Sequence, residues 1–171
     1  MIHIYCGDGK GKTTCAFGLA LRAAGRGRKV VIAQFLKSGD SGERDAIAHV
    51  PGVTLLPAPE QVKFTFLMNE EEKAACAVQL KRTLEQVAAQ VKAGECGLAV
   101  LDECCAAVST GLLPLADVLA FLDGAPEDLE VVITGRDPHP ELQARADYIT
   151  EMKKIKHPFD RGVNAREGIE W

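Results

Sequence analysis

At 171 residues the chain has room for one domain with a full hydrophobic core, and not for two of ordinary size. Hydrophobic residues make up 47% and charged residues 26%, a globular composition that excludes disorder over most of the length. A formal net charge of -4 with 5% aromatic residues supplies neither the electrostatic footprint nor the stacking surface of a nucleic-acid binder.

Taken in chain order, strand-like and helix-like segments alternate. Ile2–Cys6 is a short apolar run stopped by glycine and reads as a first strand. Thr13–Arg26 carries Phe17, Leu21 and Ala24 at helical spacing, with Gly25 and Gly27 as its stop. Lys29–Leu36 is a second, β-branched strand and Val53–Leu56 a third. Asn69 is placed as the N-cap of a long helix reaching about Lys92, and Glu70, Glu71 and Glu72 suit the positive end of its dipole. Gly97–Asp102 and Leu129–Thr134 are two further apolar strands, with a short helix over Pro114–Leu122 between them. Ser38–Asp45, Pro57–Met68 and Met152–Trp171 are the least regular stretches. Strands that are apolar throughout, alternating with helices, predict an α/β fold: one domain over residues 1–171, a mostly parallel sheet with helices on both faces. No apolar run approaches the roughly 18 residues of a membrane span and no signal-peptide pattern opens the chain, so a cytoplasmic location without membrane or nucleic-acid partners is expected. The six cysteines include no C-x-x-C pair and no zinc-ligand spacing, and are expected to be buried, reduced thiols.

The strongest chemical signal is GDGKGKTT, Gly7–Thr14, between the first strand and the first helix. In that context glycines let backbone N–H groups converge on phosphate oxygens, and the helix N-terminus adds partial positive charge. Gly7, Asp8, Gly9, Lys10, Gly11, Lys12, Thr13 and Thr14 are therefore the candidate phosphate-binding residues, Lys12 neutralising charge and Thr13 offering a hydroxyl to magnesium. Cys6 stands where the common G-x-x-x-x-G-K-[ST] pattern has its first glycine, so the loop is a variant. It is not a dinucleotide fingerprint, because Lys12 occupies the position of the third glycine. Asp102, closing an apolar strand, and its neighbour Glu103 are the candidate metal-side carboxylates together with Thr13. The alternative for Asp102 is an N-cap or a solvated strand end. Arg136, just past another strand, is positioned to reach phosphate or to anchor a surface loop. Glu43 and Arg44 are assigned to a solvated loop, the four histidines to structural roles, and Lys153, Lys154 and Lys156 to a solvated face.

The stretch GDGKGKTTCAFGLALRAAGRGRKVVIAQFLK, then SGER, LDE, VVITGR and the closing KHPFDRGVNAREGIEW, resembles the P-loop ATP:corrinoid adenosyltransferases. The resemblance runs from Ile2 to Trp171 and implies a RecA-like P-loop fold, usually as a homodimer. It implies that ATP with Mg2+ (or Mn2+) donates its 5′-deoxyadenosyl group to the Co(I) of a corrinoid, cobalamin or a precursor, and releases triphosphate. A separate reductant would supply Co(I). By the same resemblance Lys12, Thr13 and Glu103 belong to the catalytic machinery, and Phe64 and Phe66 match an aromatic pair that crowds the corrin face. Phe66 stands where relatives commonly have Trp, and without the resemblance both rings would be read as loop-to-core packing. Many relatives carry an N-terminal extension over the site, so a loop starting at residue 7 is expected to leave it more open. A P-loop small-molecule kinase and a nucleotide-driven switch are the competing readings.

Overall fold

In the computed structural model, which describes residues 1–59 and 63–170, the chain builds a single parallel sheet. Glu60–Val62 and Trp171 lie outside the described residues, so the stretch Pro57–Met68 and the chain end are followed only in part. The strands are β1 (Ile2–Cys6), β2 (Val30–Gln34), β3 (Val53–Leu55), β4 (Leu98–Asp102), β5 (Glu130–Thr134) and β6 (Tyr148–Glu151). They lie in the order β3-β2-β4-β5-β1-β6, and every pairing is parallel. The expectation of a mostly parallel sheet is thus met by an entirely parallel one. Register aligns Gln34 with Asp102 and Cys6 with Glu151, so the carboxyl ends of the strands share one edge.

Helices cover both faces. On one, α1 (Lys12–Ala24) and α2 (Gly42–Ile47) pack Ala16, Phe17, Ala20 and Ile47 against Val30, Ile32, Leu98, Val100 and Val132. On the other lie α3 (Glu70–Lys92), α4 (Cys104–Ser109), α5 (Leu115–Asp123) and α6 (Pro140–Arg145). Their Leu80, Leu84, Val87, Val118 and Leu142 close over Val31, Ala33, Leu101, Val131 and Ile133. All five residues of β2 and of β4 are buried, because alternate side chains enter opposite cores and neither face is left to water. Each fully buried Val, Ile or Leu contributes about 1.5–3 kcal/mol of burial free energy.

Local chemistry explains the element ends. The Asn69 side chain accepts from the Glu72 amide at 2.8 Å while Glu72 accepts from the Asn69 amide at 3.0 Å, a reciprocal capping box that starts α3 where it was expected. β2 stops at Gln34, short of the expected Leu36, because Leu36 takes a left-handed backbone (φ 51°) and turns the chain out of the sheet. β6 escaped the sequence reading because it is a short strand with all four residues exposed, and so lacks a buried apolar run. The six-residue helices α2, α4 and α6 escaped it because they make fewer than two helical turns, too short for a period to show. Among the described residues no helix is long and apolar enough to cross a membrane.

Candidate functional site

The glycine-rich loop leaves β1 at Cys6 and enters α1 at Lys12, with Gly7 (φ 99°) and Gly11 (φ 111°) in the left-handed region that glycine tolerates. Its first half is strapped to neighbouring backbone. The Gly7 N–H donates to the Arg136 carbonyl at 3.1 Å, and the Gly9 N–H to the Met152 carbonyl at 2.6 Å. Asp8 accepts from the Lys154 N–H at 2.9 Å through Oδ1, and that bond is the first cause of its carboxyl lying below its usual range. A Cβ on Gly9 would stand 2.5 Å from the Met152 oxygen, so this glycine is required by close packing rather than by φ. With those two amides committed, the converging donors for an anion are the N–H groups at the start of α1, which no helical carbonyl can satisfy. Lys12 folds over the loop and donates from Nζ to the Gly9 carbonyl at 2.8 Å. Lys10 is exposed at the tip, and Thr14 is exposed in the first turn of α1.

Asp102, with 0% exposure, is the hub of the site. Its Oδ1 accepts from the Thr13 hydroxyl at 2.9 Å and from the Thr134 hydroxyl at 2.7 Å, while Oδ2 accepts from the Gln34 amide at 3.0 Å. The Lys37 ammonium stands 3.8 Å from Oδ2 and donates to Glu43 Oε1 at 2.6 Å. Burial alone would raise the Glu43 carboxyl, yet that bond and the Lys37 charge hold it below its ordinary value. Glu103 adopts a left-handed backbone (φ 59°) at the start of α4, and its N–H donates to Thr134 Oγ1 at 2.8 Å. Burial first, then the Asp102 charge, push the Glu103 carboxyl above its usual range, against the opposing pull of Lys12, Lys37 and Arg136.

The structure thus brings Lys12, Thr13, Asp102 and Glu103 together, with Arg136 exposed at the end of β5 and electrostatically coupled to Glu103. Asp102 is not a solvated strand end. Phe64 precedes and Phe66 lies within a 3-10 turn (Thr65–Leu67), their rings stacked at 5.5 Å and 71% and 79% exposed. They are not packed into the core. Glu43 and Arg44 need correction: they form part of α2, and Arg44 is only 9% exposed rather than solvated, because its guanidinium bonds the Gln34 side chain and the Leu56 carbonyl inside the fold. Gln34, Lys37 and Thr134 were also missed; the available signal was a lone polar residue inside an apolar run for Gln34 and one closing an apolar run for Thr134. The histidines are structural where they bond: His3 pairs with Glu130 at 2.8 Å, while His139 and His157 cap the starts of α6 and a 3-10 turn.

Among the described residues no cluster of three or more His, Cys, Asp or Glu side chains forms a metal cage. The oxygen donors Thr13, Asp102 and Glu103 nevertheless suit magnesium, which takes one or two carboxylates and completes its shell with water and substrate phosphates. The cysteines are all free, but only Cys6, Cys104 and Cys105 are buried; Cys15, Cys76 and Cys96 are half-buried, correcting the expectation for them. Burial raises Cys105 to about 12 and Cys96 to about 11, and raises Cys104 further, so these thiols offer no thiolate nucleophile near neutral pH.

A family model described as ATP:corrinoid adenosyltransferase BtuR/CobO/CobP matches residues 1–171. The protein named corrinoid adenosyltransferase in Escherichia coli (strain K12) is 36% identical over 173 residues, spanning 100% of this chain and 85% of that protein. Corrinoid adenosyltransferase CobA of Salmonella typhimurium is 34% identical over 172 residues, with 100% and 85% covered. The corrinoid adenosyltransferase of Pseudomonas aeruginosa is 35% identical over 176 residues, with 100% and 83% covered. Likeness of this extent, running the length of a chain whose glycine loop and buried acidic strand end meet as described, places it in the ATP:corrinoid adenosyltransferase family.

Proposed function

We propose that the chain, as one domain over residues 1–171, transfers the 5′-deoxyadenosyl group of ATP to the Co(I) centre of a corrinoid and releases triphosphate. The observation that carries the siting of this reaction is the 2.9 Å bond from Thr13 to Asp102, which ties the first turn of α1 to a strand end 89 residues away. The amides at the start of α1 hold the triphosphate of ATP, with Lys12 and the exposed Arg136 meeting its negative charge. Thr13, Asp102 and Glu103 hold magnesium or manganese, which when bound neutralises phosphate charge and orients the leaving group. The protein needs no nucleophile of its own, because Co(I) attacks the ribose C5′ directly, and the raised thiol values agree with that division of labour. What remains for the chain is to orient ATP, stabilise the departing triphosphate and exclude water. Phe64 and Phe66 form the apolar surface that meets the corrin ring and crowds its lower axial position; their exposure supports this role, since packing does not explain it. A homodimer, a separate reductant that makes Co(I), and a cytoplasmic setting complete the reading on the strength of the family resemblance.

The test is anaerobic: purified protein, magnesium-ATP and chemically reduced cob(I)alamin, followed by absorbance and by analysis of the phosphate product. Adenosylated corrinoid with stoichiometric triphosphate is the expected result. ADP appearing with a hydroxylated acceptor would replace this reading with phosphoryl transfer.

A further inference from the structure

Behind the carboxylate at the centre of the site stand two buried residues, Gln34, which bonds it directly, and Arg44, which bonds Gln34. Gln34 ends β2 at 5% exposure and presents Nε2 to Asp102 Oδ2 at 3.0 Å. Its Oε1 accepts from Arg44 Nη1 at 2.8 Å, and Arg44 Nη2 is anchored on the Leu56 carbonyl at 3.0 Å. Donor chemistry fixes the direction of this chain. A guanidinium has donors only, so the Gln34 oxygen must face Arg44, and the amide NH2 is then turned towards Asp102. On the opposite side, the Glu103 N–H occupies a lone pair of Thr134 and leaves its hydroxyl proton for Asp102 Oδ1. Both carboxylate oxygens are thereby orientated by groups whose own orientation is set one bond further out. Helix α2 controls the Oδ2 side twice, because Arg44 holds Gln34 while its neighbour Glu43 holds Lys37, 3.8 Å from the same oxygen.

We infer that Arg44 and Gln34 are positioning residues that fix the Asp102 carboxylate in the orientation in which it and Thr13 receive the metal of magnesium-ATP. The inference rests on the proposed role of Asp102 and deepens it: the metal side of the site is built through α2, not by the loop and strand end alone. A purely structural Arg44, tying α2 to the chain after β3, would affect bound nucleotide equally with and without metal. A positioning Arg44 affects the metal complex selectively.

The experiment is calorimetric titration of ATP into the intact protein, once with saturating magnesium and once with chelator, with thermal melting of each variant as the fold control. Arg44→Met and Gln34→Leu are expected to weaken magnesium-ATP by about 10-fold or more, the usual effect of losing a residue that orients a metal ligand, while metal-free ATP binds as before. Arg44→Lys, which keeps the charge but reaches only one of the two partners, is expected to fall between and serves if the larger changes do not fold. Equal weakening under both conditions, or none under either, overturns the positioning role. Asp102→Asn separates this failure from that of the underlying reading. If Asp102→Asn leaves the magnesium dependence of binding intact, the metal assignment itself falls and the inference with it; if it abolishes that dependence while the Arg44 and Gln34 variants preserve it, only the inference falls.

Discussion

At the scale of single residues, two groups carry separable consequences. Lys12 is half-buried and its ammonium holds one backbone carbonyl, so its removal costs the fold little. Lys12→Ala is expected to lower ATP affinity by about 10–100-fold, the equivalent of one or two charge-assisted hydrogen bonds, with an unchanged melting temperature. Calorimetry and a thermal melt check the two halves of that statement. Glu103 makes a pH prediction. Its carboxyl is raised in the folded chain, by burial first and by the Asp102 charge second. Stability is therefore fully present below the ordinary carboxylate range, where folded and unfolded chains are both protonated, and is lost as pH rises through the raised folded value. Glu103→Gln removes that loss. The ligand-free variant is expected to melt above the unsubstituted protein at about pH 8, the difference vanishing near pH 4, below the ordinary glutamate value. A difference that persists at the acid end would assign the effect to packing instead.

Elements set how the loop is held. β6 was invisible to periodicity, yet the chain leaving it is what binds the loop: Met152 bonds Gly9 and Cys6, and Lys154 bonds Asp8. The close approach leaves no room for a side chain at Gly9. Gly9→Ala is expected to destabilise by about 1–3 kcal/mol, as overpacking does, and to weaken ATP binding by displacing the start of α1. Urea unfolding and calorimetry would show both; retained stability with intact ATP binding would mean that the strap is dispensable. α2 supplies the second lesson at this scale. Glu43 and Arg44, read as solvated loop residues, lie on the six-residue helix that carries Arg44 inward, and no hydrophobic period could announce it, because its decisive contact is polar.

The whole molecule separates a packed sheet edge, proposed to hold phosphate, from an open apolar surface. The parallel strands turn their carboxyl ends to the sheet edge that carries the glycine loop, whereas Phe64 and Phe66 stand exposed. Because they contribute little burial, joint replacement by alanine is expected to change stability by no more than about 0.5 kcal/mol. The same variant is expected to slow adenosylation from Co(II) far more than from chemically pre-reduced Co(I), since crowding the lower axial position matters for reaching Co(I) and not for its attack. Equal slowing from both starting states would reduce the pair to a general contact surface.

What was legible in the sequence was local. The glycine loop between a strand and a helix, the apolar strand closing on Asp102, and the Asn69 cap are each written within a few consecutive residues, and the sheet class follows from strands apolar on both faces. Those features were sufficient for the α/β class and for the loop and acidic members of the candidate site. The tertiary structure alone decided which groups surround Asp102. Thr13, Gln34 and Thr134 lie on different elements, and they become neighbours only when parallel pairing brings the strand ends to one edge. Arg44 was undecidable for a further physical reason. A buried guanidinium survives only where its partners are, and these, a side chain on β2 and a carbonyl beyond β3, are assembled by the fold and not by any spacing along the chain.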